Sequence, residues 1–284
     1  MGRTVRCGML LLVVLVLLYA LYPLYLQYPE RKSAFETTDR YARMVNGLTE
    51  AEMQEIKDRV RATNDALGEI RLGDVYSGYG MNTSPQAESI LQITGDGNIA
   101  ALSIPSQNVW LPVYPGDGMN GMERGVIHVK GSSLPEAEAS DGHVVLAGHL
   151  EKGVDTLFGI RQAEKRLDAL KIIEAGDMLY LYVLDQVICY RVETVRTVSF
   201  HQVGLLTWPK DGGYLSVMAD DGDRRIVLRA KRVQDPDILL RRDAAQILGG
   251  ETQAFFLGLP VFLPGLVMAL AFALIKQMCR RLPH

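Results

Sequence analysis

Hydrophobic residues form three regions with different patterns along the chain. Two long uncharged stretches lie near the ends, from Cys7 to Leu26 and from Thr252 to Ile275. Between them, from about residue 91 to 233, short runs rich in β-branched and aromatic residues follow one another, separated by Gly and Asp turns. Such runs, with apolar and polar residues in alternation, are typical of β-strands. The pattern therefore predicts a central β domain between two apolar ends.

Each apolar end has about the 20 residues that a helix needs to cross a bilayer. Arg3 and Arg6 precede the first stretch, and Lys276, Arg280 and Arg281 follow the second. Because positively charged residues favour the cytoplasmic side, we predict two membrane spans with both termini in the cytoplasm and the central domain outside the cell membrane. A cleaved signal peptide is the alternative for the first stretch.

A helical extension is predicted between the first span and the β region. In the stretch LTEAEM, Thr49 and Glu52 have the spacing of a capping box, and Leu48 and Met53 have the spacing of a hydrophobic staple. Apolar residues then recur at helical intervals to about residue 72. The Gly-rich stretch GDVYSGYGMNTSPQAES follows and predicts a loop.

The central region predicts seven or eight strands with few helices, which favours a closed barrel or a sandwich. One helix, from Arg161 to Leu170, is predicted to interrupt the strands. The strand-like runs are IAALSI, NVWLPVY, GVIHV, HVVLAG, MLYLYVL, VICYRVETVRTV, YLSVM and RIVLRAKRV.

Charge and cysteine content argue against a nucleic-acid-binding protein and against a central domain stabilised by disulfides. The 284 residues carry a net charge of −3 with both signs mixed throughout, so no basic surface for nucleic acid is expected. Of the three cysteines, Cys7 and Cys279 lie at the ends of the predicted spans, which leaves Cys189 alone in the central domain. No disulfide can form within that domain, and Cys189 is predicted to be a small buried hydrophobic residue.

Several motifs of the β region resemble one known family. The segments IPSQNVWLPVYPG, GVIHVKGSSLP and HVVLAGH follow one another in the order and spacing of the sortases, over roughly residues 98 to 232. The class C, pilus-assembling branch is most similar, because it also has an N-terminal helical extension and a C-terminal membrane helix. The resemblance implies a mainly β fold, a closed sortase-like barrel of seven to eight strands.

The predicted organisation combines this barrel with the flanking segments. In chain order we predict a cytoplasmic tip and transmembrane helix (1–29), a helical extension with a lid loop (30–90), the barrel (91–233), a tether (234–251), and a transmembrane helix with a basic cytoplasmic tail (252–284).

The resemblance also implies a reaction and its residues. Sortases are cysteine transpeptidases, in which a thiolate cleaves a sorting motif such as LPxTG and an amine resolves the thioester. His149 takes the family's histidine position, where an imidazole acts as general acid or base. Arg225 takes the arginine position, where a guanidinium donates hydrogen bonds to a substrate oxygen. An ion pair of Arg225 with Asp220, Asp221 or Asp223 is the alternative role.

No cysteine is present at the expected nucleophile position in the turn SVMADDGDRR. Matching the family's glycine to Gly222 places Met218 at the nucleophile position, whereas counting back from Arg225 without a gap places Ser216 there. A methionine thioether cannot form an acyl-enzyme, and a serine hydroxyl needs a stronger local base than a thiol does. We therefore predict that activity is lost or strongly reduced.

Two further features concern access and ligands. Class C sortases close their groove with a lid, and Asp74 and Tyr76 are the lid candidates, with a plain surface loop as the alternative. The carboxylates of the DDGD turn lack the later bidentate Glu of a calcium-binding loop, so no metal is predicted. No cofactor is predicted either.

These inferences lead to one functional hypothesis and two alternatives. The chain is predicted to be a degenerate, membrane-anchored sortase of a Gram-positive surface that binds or presents sorting-signal proteins or pilins, with an active sortase as a partner. The first alternative is an active transpeptidase that cleaves LPxTG-type signals with Ser216 as nucleophile. The second is a purely structural membrane protein.

Overall fold

The computed structural model divides the chain into two compact units, residues 34–243 and the two ends together. It describes residues 33–34, 36–68, 70, 72, 89–107, 109–116, 119–155, 161–165, 167–199, 208–221 and 223–234, with isolated positions in the two ends. The two predicted spans fall outside the described residues apart from those isolated positions. Among the described residues, no helix has both the length and the apolar character that crossing a membrane requires.

A closed barrel of eight strands forms the core of the larger unit, in the order β1-β2-β3-β4-β9-β10-β8-β7. This confirms the predicted mainly β barrel. The strands β5 and β6 form a separate two-stranded sheet. The strands are β1 (Ala100–Ile104), β2 (Val109–Tyr114), β3 (Val126–His128), β4 (His143–His149), β5 (Glu151–Asp155), β6 (Arg161–Lys165), β7 (Met178–Val183), β8 (Gln186–Ser199), β9 (Tyr214–Asp221) and β10 (Arg224–Arg232).

The two faces of β9 have different surroundings. Leu215, Val217 and Ala219 belong to the main hydrophobic core. Every strand of the barrel contributes to this core, and β3 contributes only its first residue, Val126. Because successive side chains of a strand point to opposite faces, Ser216 and Met218 lie on the other face, and Met218 belongs to a second apolar cluster. This second face positions the candidate site.

In the described part of the larger unit, α-helices lie at α1 (36–46), α2 (Glu50–Ala66) and α3 (Met119–Arg124). The predicted capping box at the start of α2 is confirmed, since the Thr49 side chain accepts a hydrogen bond from the N–H of Glu52 and the Glu52 carboxylate accepts one from the N–H of Thr49. The predicted staple is also confirmed, because Leu48 packs against the small cluster that contains Met53.

The hydroxyl of Tyr41 links α1 to the barrel. It donates a hydrogen bond to the carbonyl oxygen of Ile99 at 2.9 Å and accepts one from the N–H of Leu184 at 3.0 Å. We expect Tyr41→Phe to lower the free energy of unfolding by about 1–3 kcal/mol, because both partners lose a buried hydrogen bond. Urea denaturation measures this, with Thr63→Ala as a control that removes an exposed intrahelical bond. Equal stability of Tyr41→Phe and the wild type would contradict the link.

The predicted helix from Arg161 to Leu170 is wrong. Residues Arg161–Lys165 form β6, which pairs antiparallel with β5, and Asp168–Lys171 form a short 3-10 helix. The sequence RQAEKRLDAL contains strong helix formers. Pairing of the two strands in a hairpin overrides this local preference, as tertiary context often does for short segments.

Candidate functional site

Three neighbouring strands place the candidate site residues side by side. Strand β9 pairs in parallel with β4 on one side and antiparallel with β10 on the other. In this register His149 is the partner of Asp220, and Asp220 is the partner of Arg225. The structure therefore brings His149 and Arg225 to the same level of the sheet, with Asp220 on the strand between them.

Asp220 and Arg225 form an ion pair. The Nε of Arg225 donates to Oδ1 of Asp220 at 3.0 Å, and the two side chains are 1% and 25% exposed. A buried guanidinium needs a compensating charge, because removal of a cation from water is costly. Of the two roles considered for Arg225, the ion pair with a carboxylate of the turn is present in the structure. The catalytic role stays a prediction.

Met218 lies in a different environment from this row. Its partners in the register are Ala147 on β4 and Val227 on β10, and its side chain is 1% exposed. Met218 belongs to the second apolar cluster, which we call the groove cluster. Leu72 and Trp208 are partly buried and pack against this cluster. The groove cluster consists of Tyr114, Met122, Ile127, Val129, Val145, Ala147, Met218 and Val227.

The assignment of Met218 to the nucleophile position rested on sequence spacing and stays a prediction. The residue that sequence reasoning did not place beside His149 and Arg225 is Asp220. The sequence alone does not place it there, because the pairing depends on the hairpin loop between the end of β9 at Asp221 and the start of β10 at Arg224. Counting pairs outward from such a loop gives Asp220 as the partner of Arg225.

Ser216 has a close histidine neighbour, which is His143 and not His149. The Nε2 of His143 lies 2.9 Å from the hydroxyl of Ser216, and its Nδ1 lies 2.9 Å from the carbonyl oxygen of Pro209. Since a carbonyl only accepts, Nδ1 carries the proton and Nε2 accepts from the Ser216 hydroxyl. The pair thus has the connectivity of a nucleophile, a base and a group that orients the base.

Burial limits what this pair can do. His143 is 0% exposed and Ser216 is 1% exposed, and the imidazole ring lies against the rings of Trp208 and Tyr214 at 5.4 and 5.5 Å. Burial lowers the pKa of His143 from 6.5 to about 4, although the hydrogen bond to the Pro209 carbonyl acts in the opposite direction. The imidazole is therefore neutral at neutral pH and is a weak base.

His128 and Cys189 lie on other strands of the barrel, β3 and β8. His128 is buried, and its Nε2 lies 2.9 Å from the carbonyl oxygen of Ser133. Cys189 is a buried residue of β8 that packs with Tyr180 and Val187, as predicted from the pattern. The lid candidates Asp74 and Tyr76 lie outside the described residues.

The acidic turn contains a second ion pair. The Nζ of Lys171 lies 2.8 Å from Oδ1 of Asp221, and both side chains are partly exposed. Asp220 and Asp221 therefore each face a cation. Within the described part of the chain, no group of three or more His, Cys, Asp or Glu side chains has an arrangement suited to a metal ion.

Comparisons with known proteins agree with this architecture. The family model of the sortase domain matches residues 102–233. Sortase C of Streptococcus pneumoniae is similar in structure, with 23% identity, a TM-score of 0.59, and coverage of 70% of this chain and 97% of that chain. Comparison with curated proteins gives no match.

Two further solved structures show the same likeness. Sortase C1 of Streptococcus agalactiae, in complex with MTSET, has 22% identity and a TM-score of 0.58, covering 69% of this chain and 96% of that chain. Sortase C-1 of Actinomyces oris has 24% identity and a TM-score of 0.54, covering 64% of this chain and 98% of that chain. Residues 102–233 are therefore similar to the sortase domain, and the barrel has the fold that these sortase C structures share.

Proposed function

We propose that this protein binds sorting signals of surface proteins or pilins without cleaving them. The observation that supports the proposal is the carboxylate of Asp220, which takes the place between His149 and Arg225. Amide cleavage by a sortase needs a thiolate there. A carboxylate that attacked an amide would form an anhydride, which is a more reactive acyl group than the amide itself. The row is thus suited to holding polar groups of a peptide.

The groove cluster supports peptide binding beside this row. Met218 and Val227 are neighbours of Asp220 and Arg225 along the same faces of their strands, so an apolar surface adjoins the charged one. Peptide sites commonly combine an apolar surface with a few polar groups that fix orientation. Leu72 and Trp208, which pack on the cluster from outside the barrel strands, are the side chains that an apolar peptide residue would replace.

Membrane anchoring completes the proposal. The apolar ends, with Arg3 and Arg6 before the first and Lys276, Arg280 and Arg281 after the second, support two spans with both termini in the cytoplasm. The barrel would then face the outer surface, where pilins and an active sortase are the partners. Protease treatment of intact cells tests this orientation, because an outward barrel is degraded and an inward one is protected.

Peptide binding and cleavage are tested with the purified chain, an LPxTG-type peptide and an amine acceptor. We expect saturable binding of the peptide, measured by fluorescence anisotropy, and no thioester or transpeptidation product by mass spectrometry. A peptide with the LPxTG residues in scrambled order is the control. Robust transpeptidation would contradict the non-catalytic proposal, and equal binding of both peptides would support a purely structural protein.

A second candidate function is acyl transfer by Ser216, and the 2.9 Å contact with Nε2 of His143 favours it. In this case a fluorophosphonate probe labels Ser216, and Ser216→Ala abolishes both labelling and any peptide cleavage. Ser103→Ala, which removes another buried hydroxyl from β1, serves as the control. Absence of labelling in the wild type would exclude this candidate.

A further inference from the structure

Arg225 is a fully buried cation with an anionic partner at its Nε. Its side chain is 1% exposed and is the largest of the fully buried side chains in the described part of the chain. The Nε donates to Oδ1 of Asp220 at 3.0 Å. A guanidinium has five donors in a planar arrangement that matches a carboxylate, and its charge persists at every physiological pH. The position therefore has the chemistry of an anion site.

The anionic partner lies on the side of the pair that reaches solvent. Asp220 is 25% exposed, whereas Arg225 is 1% exposed, so the carboxylate is the member of the pair that solvent reaches. His149, the other register partner of Asp220, is only partly buried. A ligand that approaches between β4 and β10 therefore meets Asp220 before it meets Arg225.

We propose that Asp220 is an internal ligand that occupies a carboxylate site on Arg225 and thereby closes this site to external carboxylates. The external ligand class is a carboxylate, such as the terminus or an acidic side chain of a peptide. This deepens the proposed function, on which the peptide nature of the ligand rests. Occupation of the site by Asp220 does not depend on it and can be tested with a small anion.

The experiment compares two neighbouring carboxylates in the full-length chain. Asp220→Ala removes the partner of the buried guanidinium, and Asp221→Ala, the matched control, removes the partly exposed partner of Lys171. The thermal unfolding midpoint is measured in sodium formate and in sodium chloride, each at about 0.1 M so that ionic screening is equal. Formate is the probe because it is a carboxylate small enough for the space that the Asp220 side chain leaves.

We expect Asp220→Ala to lower the midpoint in chloride by roughly 6 °C or more, because it removes a carboxylate that compensates a buried guanidinium. Formate should restore at least half of this loss, since a ligand that binds only the folded state stabilises it. The midpoint of the wild type should be the same in formate as in chloride, and the same should hold for Asp221→Ala. No formate effect on Asp220→Ala, or an equal effect on Asp221→Ala, would overturn the proposal.

A double variant identifies the group that binds formate. Asp220→Ala combined with Arg225→Met lacks the cation and must lose the formate response, and persistence of the response would refute the site. If Asp220→Ala folds only in formate, this supports the site, and if it folds in neither salt, Asp220→Asn is measured by the same criteria. The sorting-signal assay is independent of these measurements, so a failure of peptide binding and a failure of the anion site are distinguishable.

Discussion

A thiol introduced by Asp220→Cys is expected to react with iodoacetamide at neutral pH at least about tenfold faster than one introduced by Met218→Cys. Position 220 is 25% exposed and lies beside Arg225, whose positive charge lowers the pKa of a neighbouring thiol. Position 218 is 1% exposed within the groove cluster, where an apolar environment raises the pKa of a thiol and excludes the reagent. The difference reports which of the two positions lies beside Arg225.

Peptide mass spectrometry gives the alkylation rate at each position against the native cysteines. Cys189, which is 1% exposed, is the internal standard for an unreactive thiol. In denaturant both introduced thiols should react at the same rate. Faster reaction at position 218 in the folded chain would contradict the register and favour the spacing-based assignment of Met218. Recovery of LPxTG cleavage by only one variant would identify the nucleophile position directly.

Acidification is expected to destabilise the fold through His143. The pKa of His143 is lowered to about 4 in the folded chain, mainly by burial, from an ordinary value of 6.5. Between these two values the unfolded chain binds a proton that the folded chain does not. The stabilisation from this residue, about 3 kcal/mol, is therefore fully present above pH 6.5 and is lost as the pH falls from 6.5 to 4.

His143→Gln provides the comparison because glutamine does not titrate. Urea midpoints of the wild type and the variant are measured from pH 7 down to pH 4. The variant starts less stable, because the hydrogen bonds with Ser216 and Pro209 are altered, but its stability should fall less steeply with acidification. Parallel curves for the wild type and His143→Gln would show that His143 binds protons equally in the folded and in the unfolded chain, which would contradict the prediction. Ser216→Ala, which retains the imidazole, should keep the steep dependence.

Much of the fold followed from local features of the sequence. The Thr49 and Glu52 pair predicted the start of α2, because a capping box needs only residues within one helical turn. The runs such as HVVLAG and RIVLRAKR predicted β4 and β10, because apolar residues there exceed what a loop would contain. The region Arg161–Leu170 was mispredicted as a helix, because the pairing of β5 with β6 is not encoded in its own composition.

The candidate site was predicted only in part, because strand pairing is not encoded in the composition of a single segment. His149 and Arg225 were found from motifs that lie within single strands and turns. The residue between them depends on the parallel register of β4 with β9, which joins segments about 70 positions apart, and on the length of the β9–β10 loop. Spacing along the chain gave Met218 or Ser216. The strand pairing gave Asp220, which is two positions after Met218. A shift of two positions along a strand keeps the side chain on the same face of the sheet but changes its cross-strand neighbours.

The sequence by itself determined the barrel class, the helical extension, the buried role of Cys189 and the absence of cysteine from the turn after β9, since these depend on residue type and local periodicity. Only the tertiary structure decided that Asp220 is the partner of both His149 and Arg225, and that Ser216 bonds to His143. The physical reason is that cross-strand neighbours are set by backbone hydrogen bonding between distant segments. The register of these segments depends on burial of apolar residues throughout the core, and no single motif contains that information.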